Sequence, residues 1–322
     1  MSEAPVVMLH TDAGETAREI VAAAHPDLLL HLCESYDALP EMLARTEPEV
    51  VYSVRFAGTP HFPRQSLIDA ASLKWIAVGG SGTDHLAPWD PARLAVTNSA
   101  GVAAGMMAEY ALGAMLAFSL DFRGFERAQA EERWTAGRVA PIEGRTVLIV
   151  GFGHTGAAVA RRAKAMGMRV LGVRARPQPS CDADEMHAVA DLPDLWPRAD
   201  VIVIAVPLLP STRGLVDAAA FGAMRPDAVL IDVSRGGVVA EAALVAALAQ
   251  GRIKGAALDV FATEPLPKGH PLWRMGNVIV TPHCSSVYDG WDRRSVARFA
   301  ENLSRYRAGD ELFNIVDPAR GY

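Results

Sequence analysis

The chain has 322 residues, 50% of them hydrophobic and 21% charged, with a formal net charge of −6. That length exceeds one ordinary core, so two domains are expected, and the composition is that of a soluble globular protein. The acidic balance leaves no basic footprint for nucleic acid, the opening MSEAPVVMLH lacks the basic region of a secretory signal, and three scattered cysteines (Cys33, Cys181, Cys284) fit neither a disulfide framework nor a metal site and point to a reducing cytoplasm.

Up to about residue 98, apolar strands alternate with helix-forming segments. Strands are predicted at 6–9, 28–32, 50–54, 75–78 and 94–97, with helices at 16–24, 36–46 and 66–73. The alternation predicts a small parallel sheet covered by helices. Two turns stand out, Ala57-Gly58-Thr59-Pro60 and Val78-Gly79-Gly80-Ser81-Gly82-Thr83-Asp84-His85. The second follows the carboxyl end of a strand, where open α/β sheets bind ligands, although a flexible turn reads the same way.

The apolar run 102–120 raises the question of a membrane span. Glu109 in its middle and its many small residues fit instead a helix buried at a domain or subunit contact. A charged stretch from Arg123 to Arg138 follows, and then a second alternation with six strands, at 147–150, 169–173, 201–206, 229–233, 256–260 and 278–281. A helix is expected at 239–250, and an amphipathic helix at 292–307 is expected to cross back to the first domain. This rhythm matches a doubly wound nucleotide fold.

The first strand of that alternation runs into Gly151-Phe152-Gly153-His154-Thr155-Gly156 and then good helix formers, AAVARRAKAM. Gly151 permits the tight turn, Gly153 lets a pyrophosphate approach the backbone, and Gly156 lets the helix pack close to the sheet. The free N–H groups and dipole of the helix then face the anion. A plain βα turn is the alternative, but the strand-turn-helix context favours a dinucleotide site. The next strand runs into Arg174-Ala175-Arg176 where an acidic residue would bond the adenosine ribose. Guanidinium groups there can hold a 2′-phosphate, so NADP(H) is predicted in preference to NAD(H).

Three polar residues close successive strands: Arg235 after Ile231-Asp232-Val233-Ser234, Glu264 after Val260-Phe261-Ala262-Thr263, and His283 after Thr281-Pro282. Residues at the carboxyl ends of parallel strands converge on one cleft. A histidine steadied by a carboxylate can protonate a developing alkoxide, and an arginine can hold a substrate carboxylate and polarise a carbonyl.

The segments around Gly151, Asp232-Val233-Ser234-Arg235-Gly236-Gly237, Leu258-Asp259-Val260-Phe261-Ala262-Thr263-Glu264-Pro265 and Thr281-Pro282-His283, with Ser81-Gly82-Thr83-Asp84-His85, Met107-Ala108-Glu109 and Asn314-Ile315-Val316-Asp317, resemble the signature set of the D-isomer-specific 2-hydroxyacid dehydrogenases. The resemblance spans nearly the whole chain. It implies two Rossmann-like or flavodoxin-like α/β domains around a cleft: a discontinuous substrate domain, 1–98 with 290–322, and a dinucleotide domain, 99–289. It also implies His283 as acid/base, Glu264 as its partner, and Arg235 with Ser81 and Gly82 as substrate binders. Asp259 is implied at the nicotinamide carboxamide, Val206, Pro207 and Thr212 at the adenosine wall, and Val233, Ser234 and Ser285 complete the cofactor residues. A homodimer through the 102–120 helix and its arm is implied, as is a small 2-ketoacid substrate such as glyoxylate or hydroxypyruvate. Because the C-terminal-binding-protein corepressors share this fold, a dinucleotide-sensing binding protein without turnover is the alternative, though no extended disordered tails are evident.

Arg174 departs from the family's usual acidic residue, and Met106-Met107 stand where smaller or β-branched residues are frequent. Arg55, Trp134, Tyr288 and Trp291 are candidates for the substrate pocket wall. Cys284 adjoins His283, but neighbours in an extended segment point apart, which argues against a thiol nucleophile.

Overall fold

A computed structural model describes residues 4–320 other than 57, 58, 60, 138 and 319. Three of the four residues of the turn expected at Ala57-Gly58-Thr59-Pro60, and Arg138 at the end of the charged stretch, lie outside the described residues. The chain forms two units, Met1–Val102 with Asp289–Tyr322, and Ala103–Tyr288.

In the first unit, β1 (Val7–His10), β2 (Leu30–Cys33), β3 (Val50–Ser53), β4 (Trp75–Val78) and β5 (Ala95–Asn98) make a parallel sheet in the order β2-β1-β3-β4-β5. Helices α1 (Gly14–Ala24), α2 (Leu39–Thr46) and α3 (Arg64–Asp69) connect the strands. β1, β3 and β4 are buried along their whole lengths, which is why they read as near-continuous apolar runs rather than as alternating patterns.

The second unit opens with α4 (Ala104–Ser119) and α5 (Phe122–Ala130). There follow β6 (Thr146–Val150), α6 (His154–Ala165), β7 (Arg169–Val173), β8 (Glu185–His187), α7 (Leu192–Leu195), β9 (Val201–Ile204), α8 (Ala218–Ala223), β10 (Val229–Asp232), α9 (Glu241–Ala249), β11 (Gly255–Leu258) and β12 (Val278–Val280). The seven strands are parallel in the order β12-β11-β10-β9-β6-β7-β8. Counted from β6, this is the doubly wound order of a dinucleotide fold with one strand added at the far end, and its topological switch point lies between β6 and β9. Sheet faces carry the two cores of this unit, for example Leu148, Ile202 and Leu230 on one side and Ile149, Val203 and Ile231 on the other. Full burial of each such side chain contributes about 1.5–3 kcal/mol.

Six strands were expected here and seven are present among the described residues. The extra one, β8, is a half-buried Glu-Met-His edge strand with no hydrophobic run to announce it. Pairing with β7 creates it, and the Asp184 carboxylate accepts the Val170 N–H at 2.8 Å just before it begins. α4 lays Ala104, Ala108 and Ala111 into the same core as Val159, Ala160 and Ala163 of α6, so its small residues serve close helix packing. No helix among the described residues is long and apolar enough to cross a membrane.

α10 (Trp291–Ala308) belongs to the first unit, and its buried stripe of Val296, Phe299 and Leu303 enters the core with Val50, Tyr52 and Trp75. The chain then continues along β5, where Val316 N–H donates to Val96 O at 2.8 Å and covers that sheet edge.

Candidate active site

β6 ends at Val150 and α6 starts at His154, so the glycine-spaced segment is the tight turn at the switch point. Gly151 has φ 104°, and a Cβ there would lie 2.5 Å from the Ala205 carbonyl oxygen. A Cβ at Gly156 would lie 2.1 Å from the Gly151 carbonyl oxygen, so only glycine lets α6 start this close to the strand. At Gly153 a Cβ would meet nothing within 4 Å, which leaves the helix N-terminus open to an approaching pyrophosphate. His154 is exposed, and Thr155 Oγ1 bonds Met107 Sδ at 3.5 Å. Phe152 is buried with its ring against Gly172, so it can offer a ligand only its backbone. The glycine cradle therefore fits a dinucleotide.

Arg174 and Arg176 are exposed just beyond β7, and neither guanidinium has an acidic partner among the described residues. The neighbouring acid is Glu185 on β8, which sequence reasoning did not single out. Arg198 bonds it at 2.7 Å and His187 at 2.9 Å, and Arg169 also bonds it. Hydrogen bonds from Arg198 first, then from His187 and Arg169, bring its pKa down to about 2. Two guanidinium groups, those of Arg198 and Arg169, thus flank its negative charge. Arg174 N–H donates to the His187 carbonyl at 3.2 Å, which ties the arginine-bearing turn to this edge strand. On the other side of the glycine turn, Val206 borders Gly151. Thr212 Oγ donates to Pro207 O at 2.6 Å and accepts from Leu209 N–H at 2.8 Å, so it holds this loop closed.

The ends of β10, β11 and β12 carry the polar cluster. Val233 and Ser234 are buried, and Ser234 donates to the Asp232 carboxylate through Oγ at 2.5 Å and through N–H at 3.0 Å. Burial pushes the Asp232 carboxyl up to about 7 despite those bonds. Arg235 Nη1 donates to Ser234 O at 2.8 Å. Across the cluster, His283 Nδ1 and Glu264 Oε2 are 2.7 Å apart, and the other Glu264 oxygen accepts Phe261 N–H at 3.0 Å. Burial raises the Glu264 carboxyl, but the bonds from His283 and Phe261 and the nearby charges of His283 and Arg235 outweigh it and hold the group below the usual carboxylate range. Arg235, Glu264 and His283 are therefore brought together.

His283 sits at φ 53°, a left-handed conformation uncommon outside glycine and asparagine. Asp259 over-determines it. This fully buried carboxylate accepts Thr281 Oγ1 at 2.6 Å and the N–H groups of Cys284 and Ser285 at 2.9 Å each, so it grips the chain on both sides of the histidine. Tyr110 of α4 bonds Thr281 Oγ1 at 2.8 Å and extends the network. Tyr110 and Thr281 were missed as site residues, since nothing in a helical Tyr or a strand-end Thr signals such a bond. Burial, and then the Asp259 charge, push the Cys284 thiol up, which keeps it protonated beside the histidine.

In the first unit, Ser81 is exposed and Gly82 half-buried in the loop after β4. Of the pocket-wall candidates, Arg55 is exposed, Trp134 is 99% exposed, Tyr288 is half-buried, and Trp291 packs on the core of the first unit.

Residues 112–285 match the model of the D-isomer specific 2-hydroxyacid dehydrogenase NAD binding domain. The D-3-phosphoglycerate dehydrogenase of Methanocaldococcus jannaschii is 32% identical over 282 residues, 86% of this chain and 53% of that one, so the chain spans about half the length of that enzyme. A D-isomer specific 2-hydroxyacid dehydrogenase from Xanthobacter autotrophicus Py2, solved with NADPH and MES, matches with TM-score 0.86 and 33% identity over 99% of this chain and 100% of that chain. An NADPH-dependent glyoxylate/hydroxypyruvate reductase from Sinorhizobium meliloti, solved with NADP and sulfate, matches with TM-score 0.82 and 27% identity over 99% of this chain and 100% of that one.

Proposed function

Since the chain belongs to the D-isomer specific 2-hydroxyacid dehydrogenases, NAD(P)-dependent oxidoreductases, we propose that it reduces a small 2-ketoacid of the glyoxylate or hydroxypyruvate kind to the D-2-hydroxyacid, with NADPH preferred over NADH. The observation that carries this reading is the 2.7 Å bond between His283 and Glu264 beside Arg235.

When bound, the nicotinamide dinucleotide supplies the hydride. The turn from Gly151 to Gly156 would hold its pyrophosphate, Val206, Pro207 and Thr212 its adenosine, and Val233, Ser234 and Ser285 with Asp259 its nicotinamide end. Glu264 holds Nδ1 of His283, so Nε2 is the atom that gives a proton to the substrate oxygen as the alkoxide develops. Arg235 holds the substrate carboxylate and polarises the carbonyl, and on the first unit Ser81 and Gly82 bind the carboxylate. Reduction uses the proton carried on Nε2, and in the reverse direction the same atom takes the hydroxyl proton of the hydroxyacid.

Arg174 and Arg176 support NADPH, because two exposed guanidinium groups without acidic partners among the described residues stand beyond β7 and the nearby Glu185 is neutralised by Arg198 and Arg169. A binding protein without turnover has no need of the His283–Glu264 pair, which disfavours the corepressor-like reading. The second unit also carries an uncovered apolar region: Phe122, Phe125, Trp134 and Val139 are 57%, 36%, 99% and 49% exposed, all just beyond α4. A second copy of this chain is the proposed cover, giving a homodimer.

The test is a panel of 2-ketoacids assayed with NADPH and NADH in parallel, on the wild type and on Arg174→Asp. A small ketoacid should be turned over with kcat/KM at least about tenfold higher for NADPH, the scale of one charge-assisted hydrogen bond, and Arg174→Asp should erase that preference. Equal efficiency with NADH, or a preference unchanged in the variant, overturns the cofactor assignment. NADPH binding with no turnover of any ketoacid would return the binding-protein reading.

A further inference from the structure

The loop after β4 has an asymmetry in its backbone hydrogen bonds. Four successive carbonyls are each taken by a donor: Val78 O by Ser99 Oγ at 3.2 Å, Gly79 O by Ser295 Oγ at 2.7 Å, Gly80 O by Ser99 N–H at 2.9 Å, and Ser81 O by Asn98 Nδ2 at 2.8 Å. Gly79 N–H is tied to Ser53 O at 2.9 Å. Among the described residues, however, no acceptor is bonded to the N–H groups of Gly80, Ser81 or Gly82.

Peptide planarity connects the two halves of that pattern. The carbonyl of one residue and the N–H of the next point in opposite directions across a trans peptide. Clamping Gly79 O, Gly80 O and Ser81 O therefore aims the N–H groups of Gly80, Ser81 and Gly82 away from the clamp. These are the same three N–H groups that lack partners. Successive N–H groups presented in this way form a nest for an anionic oxygen.

Apart from the Ser99 N–H, the clamping donors are buried side chains that packing alone does not require. Asn98 and Ser99 are each 5% exposed and Ser295 is fully buried. Ser295 lies on the inward stripe of α10 next to Val296 and Phe299, where an apolar residue would suit the core. It is kept satisfied on its other side, accepting Tyr52 O–H at 2.8 Å. A buried hydroxyl is retained here because it has a specific partner on the loop.

We infer that Ser295, with Asn98 and Ser99, is a positioning residue that preorganises the Gly80-Ser81-Gly82 amides as a carboxylate nest. This rests on the reading that the loop takes the carboxylate of a 2-ketoacid. The return of α10 to the first unit then does more than fill a core, because it supplies the donor that orients the first of the three amides.

The experiment compares wild type, Ser295→Ala and Asn98→Ala for ketoacid reduction and, by calorimetry with NADPH present, for binding of oxamate, a carboxylate probe shaped like the substrate. In each variant KM for the ketoacid and Kd for oxamate should rise about tenfold, the scale of one hydrogen bond to the loop, with kcat changed less than about threefold. Kd for NADPH should be unchanged. Ser304→Ala is the control for loosening of α10, since its hydroxyl bonds Ala300 O at 3.2 Å on the same helix, and it should leave KM unchanged. The inference is overturned if both clamp variants bind oxamate as the wild type does, if Ser304→Ala raises KM equally, or if the wild type binds no oxamate. Oxamate binding that weakens in the clamp variants, in a wild type that reduces no ketoacid, would uphold the nest and sink only the reductase reading.

Discussion

At His283 an unusual backbone conformation and an acid–base pair coincide. The ring is held at Nδ1 by Glu264, while the peptide groups on either side are held by Asp259. Replacing Glu264 by Gln keeps the shape and removes the charge that steadies the imidazolium. Reductase kcat/KM should fall about 100-fold, as expected for a disabled general acid. Because the Glu264 carboxyl is held below its usual range, its ionised form contributes stability fully above that range, and the contribution is lost as pH falls through the lowered value. The melting temperature of the wild type should therefore drop more steeply with acid than that of Glu264→Gln, and parallel curves would contradict the role given to the pair. Arg235, Glu264 and His283 were legible because each is the polar residue that closes an apolar run, and parallel strands deliver their ends to one edge. Asp259 was legible as a strand-end acid, but its grip on residues 281, 284 and 285 was not, since spacing does not say which amides a buried carboxylate will face.

Among the elements, the glycine turn shows how a local pattern can be read almost to the atom. The three glycines need different things, and the space around them differs accordingly: Gly151 and Gly156 face backbone oxygens at 2.5 and 2.1 Å from a notional Cβ, Gly153 faces none. Gly156→Ala should push α6 off the strand, cost about 1–3 kcal/mol by overpacking and weaken NADPH binding together with stability. Thermal denaturation and a fluorescence titration with NADPH would show it, and an unchanged Kd would mean the turn does not hold the cofactor. The central strands β1, β3, β4, β9 and β10 were visible as apolar runs because both of their faces are covered. β8 was invisible for the converse reason: three half-buried residues at a sheet edge owe their strand geometry to β7 and to Asp184 rather than to their own pattern. The clamp on the Gly80-Ser81-Gly82 loop was equally hidden, because its donors at 98, 99 and 295 are brought together by topology and not by sequence proximity.

For the whole molecule, the exposed ring surface beyond α4 makes a prediction about assembly. Light scattering behind a sizing column should give twice the 34.4 kDa chain mass, and Phe122→Glu should move the protein toward the monomer by burying a charge in the contact. A monomeric wild type would leave that surface without the proposed cover. The division of the chain has a consequence for synthesis. The unit that begins with β1 is interrupted after Val102 and resumes only at Asp289, so its core waits for α10 while Ala103–Tyr288 is still emerging from the ribosome. The uninterrupted unit can fold as soon as it is out, and a released chain truncated before Ser295 would keep every residue of the nucleotide fold while the amides of the loop after β4 are left unaimed.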